Sequence, residues 1–457
     1  MSRLYIFNFK LESYLSLISL VGISLFSCAW LIRFIVYPDP RIKLIGFTIL
    51  GLGIILPLLT FKLSKEWRLK ISMSMLGTCF GLYGFEYFLE IQERHFQTSK
   101  VIKKENVIST FDRLTNEGQN PSIPIATLSL VKRLNSNLDG SIPTEEGSLL
   151  PISNASRQNI LLCEEPNGPV IFQSDRFGFN NRDDIWDSHN IDIAFLGDSF
   201  VEGICVQREK NITGKVIEKY PNVLNLGIVG HGPLAMLATI KEYLILKKPK
   251  IVVWCFVSND LYPNLALEKG NKIFLNYLKK DFTQNLYKRQ NEIDLLIKKY
   301  IDLSRNKSSS KRFTSAPAPT TSYKQKIKGM ANSKFTKLYR LRQKVFRPYL
   351  AKFNSDLALF DQIMTEAKRT VESWSGEIIF VYLPTAERFY KRQLNPFKND
   401  LQKLIQDKKI KFIDLENEFL MDGNPKRFFK NAHSHYNENG YAFASEAILK
   451  SIQSRNQ

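Results

Sequence analysis

Three long apolar stretches open the chain, and five short ones punctuate it from residue 191 onward. The long stretches run over about 14–36, 44–61 and 71–91. Each approaches the roughly 20 residues that a helix needs to cross a bilayer, so the pattern predicts about three N-terminal transmembrane helices. Arg33, near the end of the first, can snorkel, and Glu86 lies towards the end of the third. A cleavable signal peptide fits poorly. The first stretch is too long, no small-residue cleavage site follows, and two more stretches come after it. Arg3 and Lys10 precede the first stretch, and Lys62, Lys65, Arg68 and Lys70 precede the third. The first loop offers only Arg33, Arg41 and Lys43 beside Asp39. The positive-inside rule then places the N-terminus in the cytoplasm and everything after about residue 92 outside.

The short stretches, 191–196, 223–226, 251–256, 378–382 and 410–415, are apolar on both faces and read as strands. Helical periodicity fills the spaces over 234–247 and 356–372, the second with Ser355 as its N-cap. Strands buried on both faces and separated by helices imply a parallel sheet covered on both sides. The chain thus divides into a membrane anchor over 1–95, an irregular lead-in over 96–190 and an α/β domain over 191–457. Within the lead-in, 172–180 alternates aromatics with glycine and reads as structured. The α/β domain carries an insertion at 264–350, helical in part. Its Lys307–Lys311 tract and the Ala316-Pro317-Ala318-Pro319 run read as flexible.

Charge narrows the partners. Lys+Arg 64 against Asp+Glu 44 gives a formal charge of +20, which suits an anionic surface such as phospholipid headgroups. The basic residues are scattered and no nucleic-acid motif accompanies them. Of five cysteines, Cys28 and Cys79 fall in the apolar segments. Cys163, Cys205 and Cys255 have neither metal-type spacing nor an even framework, so the sequence requires no disulfide. The Asn211-Ile212-Thr213 sequon carries little weight without an identified secretory pathway.

The chemistry lies where the strands end. Gly197-Asp198-Ser199-Phe200 follows the first strand and enters a helical segment, which lifts a serine to the edge of a sheet beside helix N–H groups. Asn225-Leu226-Gly227-Ile228-Val229-Gly230 follows the second strand and Ser258-Asn259-Asp260 the third. His435, Asn437 and Gly440 follow the last. Loops at the carboxyl ends of parallel strands converge on one crevice, so Ser199, Gly230, Asn259 and His435 can meet.

These four blocks resemble the SGNH/GDSL hydrolase superfamily over about 170–457, the insertion excepted. The resemblance implies a three-layer α/β/α fold with a five-stranded parallel sheet of flavodoxin-like type, in agreement with the strand count. It implies that Ser199 is the nucleophile, His435 the base, and the N–H groups of Ser199, Gly230 and Asn259 the oxyanion donors. Asp198 and Asp260 would brace the loops that present them. No cofactor and no metal are implied. Two positions depart from the family pattern. Val257 stands where the third block carries glycine, and Ala432 and His433 stand where an acid precedes the histidine. Either a backbone carbonyl accepts the imidazole Nδ1–H, or activity is reduced or absent.

Other residues have plainer readings. His433 and His435 form an H-x-H pair without an acidic cluster. His231 reads as a surface-loop histidine, and Asp414, at a strand end, as a cap more than a displaced acid. The expected function is a membrane-anchored serine esterase acting outside the cytoplasmic membrane on small O-acyl groups of an envelope glycan. An O-acyltransferase using the same site is the second reading. The third is a catalytically weak protein that binds glycan or organises envelope-assembly partners.

Overall fold

The computed structural model describes residues 62–134, 136–313, 356–432 and 434–454, with Phe47, Thr48, Gly51, Ile55, Leu338, Arg340 and Leu341. The chain forms two compact units, Met1–Thr98 with Ala318–Arg347 and Ser99–Pro317 with Pro348–Gln457.

The first unit is described mainly through the helix Lys65–Asn116, up to Thr98. Fully buried Glu86 accepts hydrogen bonds from Arg340 N at 3.0 Å and Leu341 N at 2.8 Å. Trp67, Met73, Phe80 and Phe88 are exposed. The apolar stretch 71–91 lies within this helix, yet among the described residues no helix is long and apolar enough to cross a membrane. The two polar interruptions Glu86 and Glu90 and three glycines dilute it. Stretch 14–36 and most of 44–61 lie outside the described residues.

In the second unit the strands are β1 (Pro121–Ser122), β2 (Ile142–Thr144), β3 (Gly147–Leu149), β4 (Asn159–Glu165), β5 (Gly168–Gln173), β6 (Ile193–Gly197), β7 (Val223–Gly227), β8 (Ile251–Phe256), β9 (Glu377–Tyr382) and β10 (Lys411–Asp414). The last five form one parallel sheet in the order β10-β9-β8-β6-β7. They coincide with the five apolar runs to within a residue or two. Successive side chains alternate between two cores, as the two-residue strand period requires. Ala194, Leu196, Val252, Trp254 and Phe380 face a core completed by the helices Pro233–Thr239, Leu357–Glu372 and Lys398–Asp407. Ile193, Phe195, Val253, Cys255 and Val381 face the other, completed by Leu415–Met421 and Glu438–Gln453. The architecture is α/β/α.

Asp356, rather than Ser355, caps Leu357–Glu372, accepting from Leu359 N at 3.0 Å. Ser355 itself lies outside the described residues. The lead-in adds the sheet β1-β4-β5 and the hairpin β2–β3. Its Leu149, Leu150, Ile152 and Phe179 are fully buried in the same core as the main sheet. Buried Asp175 organises the 172–186 segment. It accepts from Phe177 N and Phe179 N at 2.9 Å, Asn181 Nδ2 at 2.9 Å and Trp186 Nε1 at 2.7 Å. Asn181 then pairs with edge strand β7 as a strand would. Its amide donates to Asn225 O at 2.9 Å, and its carbonyl accepts from Asn225 N at 2.8 Å.

The insertion enters this unit through Glu242, whose carboxylate accepts from Tyr277 OH at 2.7 Å, Gln284 N at 2.6 Å and Leu286 N at 2.8 Å. The backbone of 307–311, expected to be flexible, continues the helix Gln290–Phe313. The 316–319 run lies outside the described residues.

Candidate active site

β6 ends at Gly197, and the chain turns at once into the four-residue helix Ser199–Glu202. Asp198 makes the turn possible, because one carboxylate oxygen caps the helix by accepting from Phe200 N at 2.9 Å. Its other oxygen accepts from Asn259 Nδ2 at 3.0 Å. The helix closes at Gly203, which donates to Ser199 O at 3.1 Å. Ser199, 7 % exposed, therefore sits at a helix N-terminus on a turn fixed at both ends. Its Oγ lies 2.7 Å from His435 Nε2. With the hydroxyl donating, the imidazole proton resides on Nδ1.

His435 arrives from the far edge of the sheet, in the segment that follows β10. Its loop is held by the bridge between Phe429 and Tyr436, by Tyr436 OH donating to Pro384 O at 2.9 Å, and by Asn437. Asn437 caps the helix Glu438–Gln453 by accepting from Gly440 N at 3.0 Å. The Phe200 ring packs on the imidazole with centroids 4.5 Å apart. Among the described residues no carboxylate hydrogen-bonds the ring; His433 lies outside them. Burial holds the His435 pKa below its ordinary value, while the Asp198 and Glu387 charges oppose that shift. Burial likewise raises Asp198 above the usual carboxylate range, against the hydrogen bonds from Phe200 and Asn259.

The second strand end brings Gly230 alongside. Two glycines are needed there for different reasons. A Cβ at Gly227 would stand 2.2 Å from Glu202 N, so only glycine lets β7 approach the serine helix. Gly230 adopts φ +73°, a conformation open to glycine at no steric cost. Asn225 ties this loop down, donating to Val201 O at 2.7 Å and accepting from Gly227 N at 3.0 Å. At the third strand end Asp260 accepts from Val257 N at 2.8 Å and so shapes the turn that presents Asn259. Val257 needs no glycine's freedom here. Its N–H enters this hydrogen bond, and its buried side chain joins the second core. Asn259 donates one amide hydrogen to Asp198, and that bond fixes the orientation of its amide. A serine–imidazole pair therefore stands at the carboxyl ends of the strands, with Asn259 joined to it through Asp198, an arrangement suited to nucleophilic acyl transfer.

Other singled-out residues fall elsewhere. His231 is not on the surface. It is 1 % exposed, neither ring nitrogen has a hydrogen-bond partner, and burial pushes its pKa down to about 3. The loop around it turns inward because buried Glu268 accepts from Gly232 N at 2.6 Å and Leu234 N at 3.0 Å. Asp414 caps Leu415–Met421 and pairs with Lys398 at 2.8 Å. Asn211 is fully buried, its carbonyl accepting from Thr213 N and Gly214 N at 2.9 Å. The sequon is therefore an internal turn. Cys163 and Cys205 form a disulfide, which the spacing of the cysteines did not require. It joins β4 to the loop just behind the serine helix.

Sequence reasoning also missed Glu202 and Asn154. Glu202 is fully buried, accepting from Asn154 Nδ2 at 2.9 Å and Val229 N at 2.9 Å, and burial pushes its carboxyl up to about 8. The available signal was an acidic residue three positions behind the serine inside an otherwise apolar turn.

No family model matches the chain, and no curated protein is similar to it. Among solved structures, it is similar to a member of the lipolytic G-D-S-L family from Veillonella parvula. Identity is 12 %, covering 58 % of this chain and 99 % of that one, with a TM-score of 0.30. A putative lipolytic protein of the same family from Desulfitobacterium hafniense gives 13 %, 57 %, 99 % and 0.32. The lipase/acylhydrolase from Enterococcus faecalis gives 13 %, 58 %, 96 % and 0.33.

Proposed function

We propose that this chain is a serine esterase of SGNH/GDSL type, working through an acyl-serine intermediate. The observation that carries the reading is the 2.7 Å contact between Ser199 Oγ and His435 Nε2 at the carboxyl ends of a parallel sheet. In the first step His435 Nε2 takes the Ser199 proton as Oγ attacks the ester carbonyl. The negative charge that develops on the carbonyl oxygen is met by the N–H groups of Ser199, Gly230 and Asn259, fixed before the reaction begins. The imidazolium then returns its proton to the leaving alcohol. Water, deprotonated by the same nitrogen, releases the acid and regenerates Ser199. The lowered His435 pKa keeps the ring neutral and ready to accept a proton at neutral pH.

The proposal extends to place and substrate. The apolar stretches 14–36 and 44–61, with exposed Trp67, Met73, Phe80 and Phe88, favour membrane attachment of the N-terminal part. The basic residues flanking the apolar stretches favour an outward-facing second unit. The Cys163–Cys205 disulfide supports that side, because such bonds persist in oxidising compartments. An anchored, outward-facing esterase would meet small O-acyl groups on envelope glycan.

The test is labelling of the detergent-solubilised full-length protein with a fluorophosphonate serine probe. Wild-type protein should label, and Ser199→Ala and His435→Ala should not. Folded wild-type protein that fails to label would sink the esterase reading. Accumulation of acylated sugar when an acceptor is supplied would reassign the same acyl-serine to transfer.

A further inference from the structure

We propose that Glu202 and Asn154 form a positioning pair that sets the oxyanion glycine Gly230 against the nucleophile. This inference rests on the esterase reading. Glu202 belongs to the serine helix, three residues beyond Ser199. One of its oxygens accepts from Val229 N at 2.9 Å, immediately before Gly230. The other accepts from Asn154 Nδ2 at 2.9 Å. Asn154, itself fully buried, turns its carbonyl to Ile125 N at 3.1 Å. The next residue, Ala126, is what a Cβ on Gly230 would touch, at 2.9 Å. The chain of contacts therefore closes on itself. It runs from the serine helix through Glu202 to Val229, and back from Glu202 through Asn154 and Ile125 to Ala126 on the other side of Gly230.

A structural explanation alone does not account for a carboxyl here. Burying one costs free energy, and apolar residues of similar volume are often more stabilising. Once ionised, above the pKa of about 8 that burial gives it, a carboxyl supplies two acceptors held at fixed separation. Both partners are donors that cannot reverse. Val229 N is a backbone amide, and the Asn154 amide is held in its orientation by Ile125 N. A glutamine at 202 would satisfy one partner and oppose the other donor to donor. The lead-in segment, remote in sequence from all four catalytic blocks, is in this way a member of the oxyanion assembly.

The donor–acceptor logic gives its own test. In full-length protein, Glu202→Gln alone sets two donors face to face, and Asn154→Asp alone sets two carboxyls face to face. The double variant restores all three hydrogen bonds with the middle one reversed: the new amide donates to the new carboxylate. With an activated acetate ester as substrate, each single variant should lose about 10- to 100-fold in kcat at near wild-type KM, the cost of a displaced oxyanion donor. The double variant should recover most of that loss. Wild-type kcat in Glu202→Gln overturns the pair, as does a double variant no better than the singles. Should a single variant fail to fold, a folded double variant decides alone, active in support and inactive against. A wild-type protein that neither labels nor hydrolyses overturns the esterase reading, and the positioning role with it. That outcome is distinct from an active wild type whose variants are equally active.

Discussion

The two halves of the serine–imidazole pair are held by different physics. On the serine side, side-chain hydrogen bonds over-determine the geometry: Asp198 caps the helix, Asn225 and Glu202 pin the neighbouring loop, and Asn259 closes back on Asp198. On the histidine side, the ring packs on Phe200, and the Phe429–Tyr436 bridge, the Tyr436 hydroxyl and the Asn437 cap tie down its loop without bonding the ring. No described carboxylate bonds the imidazole. The hairpin β4–β5 touches both halves, through the Cys163–Cys205 disulfide behind the serine helix and through Glu165, which pairs with Lys430 at 2.8 Å on the histidine loop. The lesson is that side-chain hydrogen bonds concentrate on the serine side, where the proposed mechanism develops charge on the substrate. The base is placed by shape, with the Asp198 and Glu387 charges acting on it without a hydrogen bond.

Three changes would break or sharpen this contrast. The largest effect belongs to Asn259→Ala, which removes a proposed oxyanion donor and leaves buried Asp198 short of a hydrogen bond. It should lower kcat by about 10²- to 10³-fold with little change in KM. A loss confined to KM would mean that Asn259 binds substrate and does not stabilise the transition state.

Next comes the disulfide, which closes a loop of sequence separation 42. Cys163→Ser should lower the unfolding free energy by about 2–4 kcal/mol, read as Tm or denaturant midpoint. Reductant should bring wild-type protein to the same value. An unchanged midpoint would show that the hairpin is held without the bond. The smallest effect tests the histidine side. Glu387 favours the imidazolium, so Glu387→Gln removes that support and lowers the His435 pKa further. In the proposed mechanism the neutral ring is the base, so the acid limb of kcat/KM should move to lower pH. A limb that stays in place would leave Asp198 as the carboxylate that matters.

The strands of the main sheet were legible because an apolar run buried on both faces is a local signal, and each ended within a residue or two of its pattern. The four blocks were legible for the same reason, since strand ends in a parallel sheet must converge. His231 misled because a histidine between glycines looks like an exposed loop. Glu268, far along the chain, draws that loop inward through Gly232 and Leu234. Asn154 gave no pattern, and Glu202 showed only as an acidic residue in an apolar turn, because the meaning of both lies in the direction of two hydrogen bonds.

By itself, then, the sequence determined which segments become the five strands of the main sheet and where the serine turn falls, whereas the lead-in that carries β1–β5 read as irregular. Those five strands and that turn depend on periodicity and turn chemistry within a few residues. Tertiary structure alone decided that the lead-in packs into the same core as the main sheet, that Cys163 meets Cys205, and that a buried carboxyl links the serine helix to the loop before Gly230. Each of these joins residues tens of positions apart, and such a contact becomes favourable only after the intervening chain has paid its ordering entropy and closed the loop.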